Sequence, residues 1–288
     1  MKFGVLPPYR AGVVADPVWI SAFAEAVDRV GFESFYVCEH VAVKDGYAPR
    51  YPYSPDGRMA LPPDCDIPDP LDLLAFLAAR TERVVLATGV LVLPEHQVLQ
   101  LAKRLATIDA LSGGRMRLGV GVGWMREEVE SVGVDFETRG ERTDEMIQAL
   151  RLIWASDVSN FNGRHVVIDG MITRPRTAQL AGVPIHVGGH SKAAARRAGR
   201  FGNGFQPLGL DDDELTDRLR IVWETAVEAG RDPEGIELSL GGLLDEVDDA
   251  AIARAERFGA TRMVLSTREG DLATAVAQLE TFASRFLT

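Results

Sequence analysis

The sequence predicts an α/β protein: a (β/α)8 TIM barrel with a long loop after strand 2 and a hairpin excursion before strand 5. Three observations lead there. Eight short apolar runs of strand type alternate with eight helical patterns, and strict alternation implies parallel strands joined by right-handed crossovers. The length, 288 residues, suits eight such units. The first strand-to-helix turn, Leu6-Pro7-Pro8-Tyr9, carries no glycine fingerprint, and Gly119, Gly121 and Gly123 do not fall in a GxGxxG pattern. A doubly wound dinucleotide sheet is therefore the weaker fit. Residues 1–288 read as one domain.

In chain order, Phe3–Leu6 is a strand ended by two prolines. Pro17–Val30 is a helix behind the N-cap Asp16, with proline at its first position and Gly31 at its end. Ser34–Cys38 is the second strand, with Glu39 and His40 at its C-terminal end. The loop from Val41 to Asp69 interleaves six prolines with Tyr47, Tyr51 and Tyr53, and structureless loops of that length are usually lids or disordered. Pro70–Arg80 reads as a helix, Val84–Leu93 as a buried strand interrupted by Gly89, and Gln97–Leu111 as a helix stopped by Ser112-Gly113-Gly114. Met116–Val122 is the fourth strand, followed by helical stretches at Arg126–Val132 and Glu141–Trp154. Phe161 to Gly170 reads as a hairpin with an Asn-Gly turn. Pro184–Val187 resumes the alternation, and Ser191 caps a helix over Lys192–Phe201. Strands at Asn203–Gln206, Ile236–Leu240 and Thr261–Leu265 alternate with helices at Asp211–Ala229, Asp248–Phe258 and Asp271–Phe286.

The net charge of −11 argues against a nucleic-acid surface. No segment reaches the apolar length of a membrane helix. Two cysteines, Cys38 and Cys65, without a leader-like N-terminus fit reduced thiols in a cytoplasm.

In such a barrel, chemistry sits at the C-terminal ends of the strands. That rule gathers Glu39, His40, Thr88, Gly89, Gly121, Gly123, Trp124, the run His186 to Ser191 and Gln206 on one rim. His40 is the proton-transfer candidate, a buried structural histidine being the plain alternative. Glu39 and His40 cannot both point inward from a strand. A metal site is not expected. His186 and His190 are separated by glycines rather than a helical turn, and Cys38, Glu39 and His40 are adjacent. No GxSxG elbow supports a hydrolase. Gly89, Gly121 and Gly123, flanked by Val90, Val122 and Trp124, would let a large flat ligand approach bare backbone; crowded barrel layers would also favour them. Gly188, Gly189, His190 and Ser191 join a strand to a helix start, an arrangement that can hold an anion or serve as an ordinary turn.

The stretches SFYVCEH, VVLATGVLVLP, LAKRLATIDALSGGRMRLGVGVGWMREE and VPIHVGGHSKAAARRAGRFGNGFQP, in this order, resemble the bacterial luciferase-like monooxygenase superfamily, particularly its actinobacterial coenzyme F420-dependent oxidoreductases. The resemblance implies a barrel that binds a reduced flavin or deazaflavin at its rim. It makes His40 the catalytic residue near the reactive ring, with Glu39 among the cofactor-binding residues. Thr88, Gly89 and Val90 would form a bulge behind the ring, with a cis Gly89–Val90 peptide. Val122, Gly123 and Trp124 would flank the ring, and Gly188, Gly189, His190 and Ser191 would hold the phosphate. Trp124 departs from the sugar-phosphate dehydrogenase branch, which has a carboxylate there. The resemblance also implies a homodimer.

Three readings follow. The first is a cytoplasmic oxidoreductase passing hydride between F420 and a small organic substrate. The second is an FMN-dependent monooxygenase using reduced flavin and dioxygen, and the third is an inactive cofactor-binding paralogue. F420 carries a polyanionic tail, for which Lys44, Arg50, Arg58, Lys192, Arg196 and Arg197 are the candidate cations.

Overall fold

The computed structural model describes residues 1–287, over which the alternation closes into a barrel. Its strands are β1 (Lys2–Leu6), β2 (Ser34–Val37), β3 (Val85–Thr88), β4 (Leu91–Val92), β5 (Met116–Gly121), β6 (Ser159–Asn162), β7 (Val167–Met171), β8 (Ile185–Gly188), β9 (Gly204–Gln206), β10 (Glu237–Leu243) and β11 (Ala260–Ser266). The sheet runs β3-β2-β1-β11-β10-β9-β8-β5-β4, and β3 also pairs with β5, which closes the ring. β4 extends the β3 stave rather than adding one. Leu86 and Ala87 pair with Met116 and Arg117, and after the cis Gly89–Val90 peptide Leu91 and Val92 pair with Val120 and Gly121. The strand expected over Val84–Leu93 is thus two segments. The fifth stave, β8, carries the Gly188 turn.

The helices are α1 (Pro17–Val30), α2 (Pro70–Ala78), α3 (Val98–Leu111), α4 (Arg126–Ser131), α5 (Arg139–Ala155), α6 (Lys192–Phe201), α7 (Asp212–Glu228), α8 (Asp249–Arg257) and α9 (Leu272–Phe286). Their ends have local causes. Asp16 accepts from the N–H groups of Val18 and Trp19, and Asp211 and Glu214 form a reciprocal capping box. α2 stops at Ala78 rather than Arg80, where the Arg115 guanidinium donates to the carbonyls of Ala78 and Thr81.

The expected hairpin forms, but not around a two-residue turn. Asn162 pairs with Val167, leaving residues 163–166 as the connection. Glu145 of α5 accepts from the N–H groups of Arg164, His165 and Val166 at 2.9, 2.7 and 3.0 Å and so fixes the turn.

Strand alternation sorts the side chains. Phe3, Val5, Phe35, Val37, Leu118, Val120, Ile185, Val187, Met263 and Leu265 join the main core, the layer between barrel and helices. The lumen begins, at the strands' N-terminal end, with charge. Arg262 is 0% exposed and donates to both oxygens of Glu33 (2.9 Å each), to Glu237 (3.0 Å) and to the Ser239 hydroxyl (3.1 Å). Arg117 adds a second guanidinium on Glu33. Despite burial, these two arginines hold the Glu33 carboxyl well below the ordinary carboxylate range. His186 belongs to this floor and not to the rim where the sequence placed it. It is buried with Nε2 3.6 Å from Glu237, and burial with Arg117 and Arg262 nearby pushes it down to about 3, so it is neutral. Above the floor lie Tyr36, Ala87 and Val264 with Leu6 against them. Among the described residues, no helix is long and apolar enough to cross a membrane.

Candidate functional site

At the C-terminal end of β2 the neighbouring side chains of Glu39 and His40 part. His40 Nδ1 lies 2.7 Å from Glu128 Oε2 at the start of α4, and the other Glu128 oxygen accepts the Ala42 N–H at 3.1 Å. The pair is nearly sealed, His40 being 11% and Glu128 3% exposed. Glu39 turns towards β4 instead, accepting the Val92 N–H at 2.5 Å and facing His96 Nε2 at 2.9 Å. Both its oxygens are therefore engaged within the protein.

Thr88 is fully buried, and its hydroxyl donates to the Gly119 carbonyl at 2.7 Å. The glycines above it make room for protein first. A Cβ on Gly121 would lie 2.7 Å from one Val90 methyl, and a Cβ on Gly188 would lie 2.5 Å from the other. Val90 therefore spans the top of the lumen and forms its upper face, and the crowding reading accounts for both glycines. A Cβ on Gly89 would meet Tyr36 at 2.8 Å. Val122, Gly123 and Trp124 are half-buried, and the Gly123 carbonyl accepts from Arg139 Nε at 3.1 Å.

Trp124 links the two halves of the mouth. Its ring is edge-on to His40 (6.1 Å between centroids), Tyr47 (5.3 Å) and Tyr51 (5.1 Å). Tyr51 meets Tyr53 at 5.3 Å, and Tyr53 meets His190 at 5.1 Å. An aromatic series thus runs from His40 to the α6 turn, its tyrosines supplied by the loop 41–69. That loop contains no helix or strand. Bonds to the rest of the protein hold it at a few points: the Ala42 N–H donates to Glu128 (3.1 Å), the Ala48 N–H to Glu127 (3.3 Å) and the Cys65 thiol to the Tyr9 carbonyl (3.1 Å), while the Met59 N–H donates to the Tyr47 hydroxyl (2.9 Å) within the loop itself. A groove of about 460 Å³ lies outside this mouth, between α1 and α2, lined by Val14, Ile20, Asp66, Leu73 and Phe76. With so few anchors, the loop is expected to exchange its amide hydrogens faster than the barrel strands do in the ligand-free protein. Strand-like protection across the whole loop would contradict this lid behaviour.

The α6 turn has the features of an anion site. Gly189 has φ +112°, a left-handed conformation that glycine takes without cost. Ser191 Oγ accepts from the Ala194 N–H at 3.1 Å, and the first intrahelical bond is Ala195 N–H to Ser191 O. The N–H groups of Lys192 and Ala193 precede it and face outward. His190 Nδ1 and Gln206 Oε1 are buried without partners. Burial and nearby Arg218 hold His190 below its ordinary value. Of the candidate cations, Lys192 lies 3.3 Å from Asp217, and Arg58 lies over the Tyr47 ring. Arg197 is removed from the set: it is buried against α5, bound to Asp144 and to the Gly140 carbonyl. Among the described residues, no cluster of three His, Cys, Asp or Glu side chains is arranged to ligate a metal ion.

Glu95, His96 and Glu128 do not stand out in the sequence. A signal existed. Glu-His occurs at 39–40 after β2 and again at 95–96 after β4, and Glu127-Glu128 opens the helix after the fourth stave. The partners cross over, His96 with Glu39 and His40 with Glu128, while both buried oxygens of Glu95 lack partners.

The sequence profile of the luciferase-like monooxygenase family matches residues 1–285. The chain belongs to that family. Within it, an uncharacterized protein of Mycobacterium tuberculosis is 32% identical over 287 residues, covering 96% of this chain and 97% of its own. The F420-dependent glucose-6-phosphate dehydrogenase of Nakamurella multipartita is 31% identical over 237 residues, 78% of this chain and 64% of that enzyme. Among solved structures, monooxygenase RslO1 from Streptomyces bottropensis has a TM-score of 0.80 at 22% identity, covering 100% of this chain and 99% of its own. An F420-dependent secondary alcohol dehydrogenase, in complex with an F420-acetone adduct, has a TM-score of 0.76 at 17% identity, covering 99% of each chain. At such identities these two likenesses are of fold.

Proposed function

We propose that this luciferase-like protein is an F420-dependent oxidoreductase acting on a small organic alcohol or carbonyl. The observation that carries the reading is the sealed His40–Glu128 pair at the barrel mouth, joined by aromatic rings to the α6 turn. The F420-dependent relative at 31% identity supports the choice of cofactor.

The residues present fit such a group. The α6 turn offers the outward N–H groups of its first turn, the left-handed Gly189 and the unpartnered His190 Nδ1, which suit a phosphate. Val90 presents an apolar face on which a ring can rest. F420 supplies a ring carbon that gives or takes a hydride. The protein's part is to orient, to exclude water and to move a proton. Glu128 fixes the His40 ring through Nδ1, leaving Nε2 to exchange a proton with the substrate oxygen. Trp124, Tyr51 and Tyr53 close the mouth over the reacting atoms. A cytoplasmic homodimer remains part of this reading.

The family model is that of a luciferase-like monooxygenase, so an FMN-dependent monooxygenase is the second reading; the α6 turn would hold either phosphate. The experiment is turnover of oxidised F420 with a panel of alcohols, followed by loss of its absorbance. No reduction of F420 by any alcohol, together with dioxygen uptake when reduced FMN is supplied, would replace the first reading with the second.

A further inference from the structure

Glu95 is the one member of the mouth's acid–imidazole cluster with no assigned work. It ends the 3-10 turn Leu93–Glu95 that follows β4, and its neighbours along and across the chain are titratable. Glu39 stands at the end of β2, His40 beside it, Glu128 on α4 and His96 next in sequence. Glu39 and Glu128 each use both oxygens on an imidazole and a backbone N–H. Glu95 has neither kind of partner, although both its oxygens are out of water. Gly123 packs against it, so that a Cβ there would lie 3.6 Å from Glu95 Oε1. The arginines that reach its neighbours bond backbone instead: Arg142 of α5 donates to the carbonyls of Pro94 and His96, and Arg139 to that of Gly123. A carboxylate left there would be buried, unpaired and close to two like charges.

We propose that Glu95 is a positioning residue whose bound proton keeps the Glu39–His96 and Glu128–His40 pairs assembled, so that losing the proton switches the site off on the alkaline side. Burial, with Glu128 and Glu39 adding to it, pushes the Glu95 carboxyl up to about 9. The folded chain then holds one proton more than the unfolded chain between the ordinary glutamate value, about 4.3, and that value. Stability contributed by this proton is complete at low pH and falls as pH rises through the interval. The effect on turnover rests on the role given to His40 above; the effects on stability and on the pairs do not.

The test uses the ligand-free protein and its isosteric variant Glu95→Gln. Infrared difference spectra at pH 7.5 are expected to show a protonated-carboxyl C=O band in the parent that is absent from the variant. The variant's Tm is expected to exceed the parent's by several degrees at pH 8 and to converge with it at pH 5. The ring resonances of His40 in isotope-labelled parent protein should show an alkaline inflection that the variant lacks. With a turnover assay in hand, the alkaline limb of the rate profile should move in the variant. A missing carboxyl band in the parent, or matching stability and His40 profiles in both proteins, overturns the proposal. Success of these arms with no F420 turnover would instead count against the function reading alone.

Discussion

His40→Ala is expected to lower turnover by about a hundredfold or more while leaving cofactor affinity nearly unchanged. The geometry separates the two effects. His40 contacts Glu128 on one side and the edge of Trp124 on the other, while the candidate phosphate site lies across the mouth at the α6 turn. Removing the imidazole removes the proton donor without touching that turn. Glu128→Gln is a milder companion: it keeps an acceptor for the ring but removes its charge, so a loss of about tenfold in turnover is expected. Steady-state kinetics beside direct cofactor titration check both. Equal losses of binding and rate in His40→Ala would make this histidine a cofactor-holding residue.

The second large effect lies at the other end of the barrel. Arg262→Met is expected to cost about 3 kcal/mol, because it leaves the half-buried Glu33 and Glu237 with part of their pairing gone. The sign of the pH dependence follows from Glu33. Its carboxyl is depressed in the folded state, so the stability it contributes is present above the ordinary carboxylate value of about 4. That contribution is lost as pH falls towards the lower folded value. The gap between parent and variant in urea unfolding is therefore expected to be widest near pH 7 and to narrow in acid. A gap under about 1 kcal/mol at pH 7, or one independent of pH, would show that the charged floor is not what Arg262 stabilises.

The sequence showed this fold where the causes are local. Asp16 with Pro17, Ser191 before Lys192, and Asp211 with Glu214 announce helix starts within a few residues, and the alternation of apolar runs announces parallel staves. The charged floor was not legible. Glu33 and Arg262 are 229 residues apart, and each is a charged residue at the start of an apolar run. Only closure of the ring brings them together. The site divides in the same way. His40 and the Gly188–Ser191 turn stand out because a strand end and a helix start are local signals. Glu128, Glu95 and His96 become significant only when α4 and the β4 turn fold beside β2. The glycines carry a further lesson. Gly121 looks like an opening for a flat ligand, yet its space is taken by Val90, which arrives from the break between β3 and β4.

Titration of the ligand-free protein with F420 and with FMN decides between the two cofactors. F420 and FMN share a phosphate, but only F420 has a polyanionic tail, which a chain of net charge −11 must meet with local cations such as Lys44, Arg50, Arg58, Lys192 and Arg196. F420 is expected to bind more tightly than FMN, with an advantage that shrinks as salt is raised. Tight FMN binding with reductant-dependent dioxygen consumption, and no binding of F420, would contradict it.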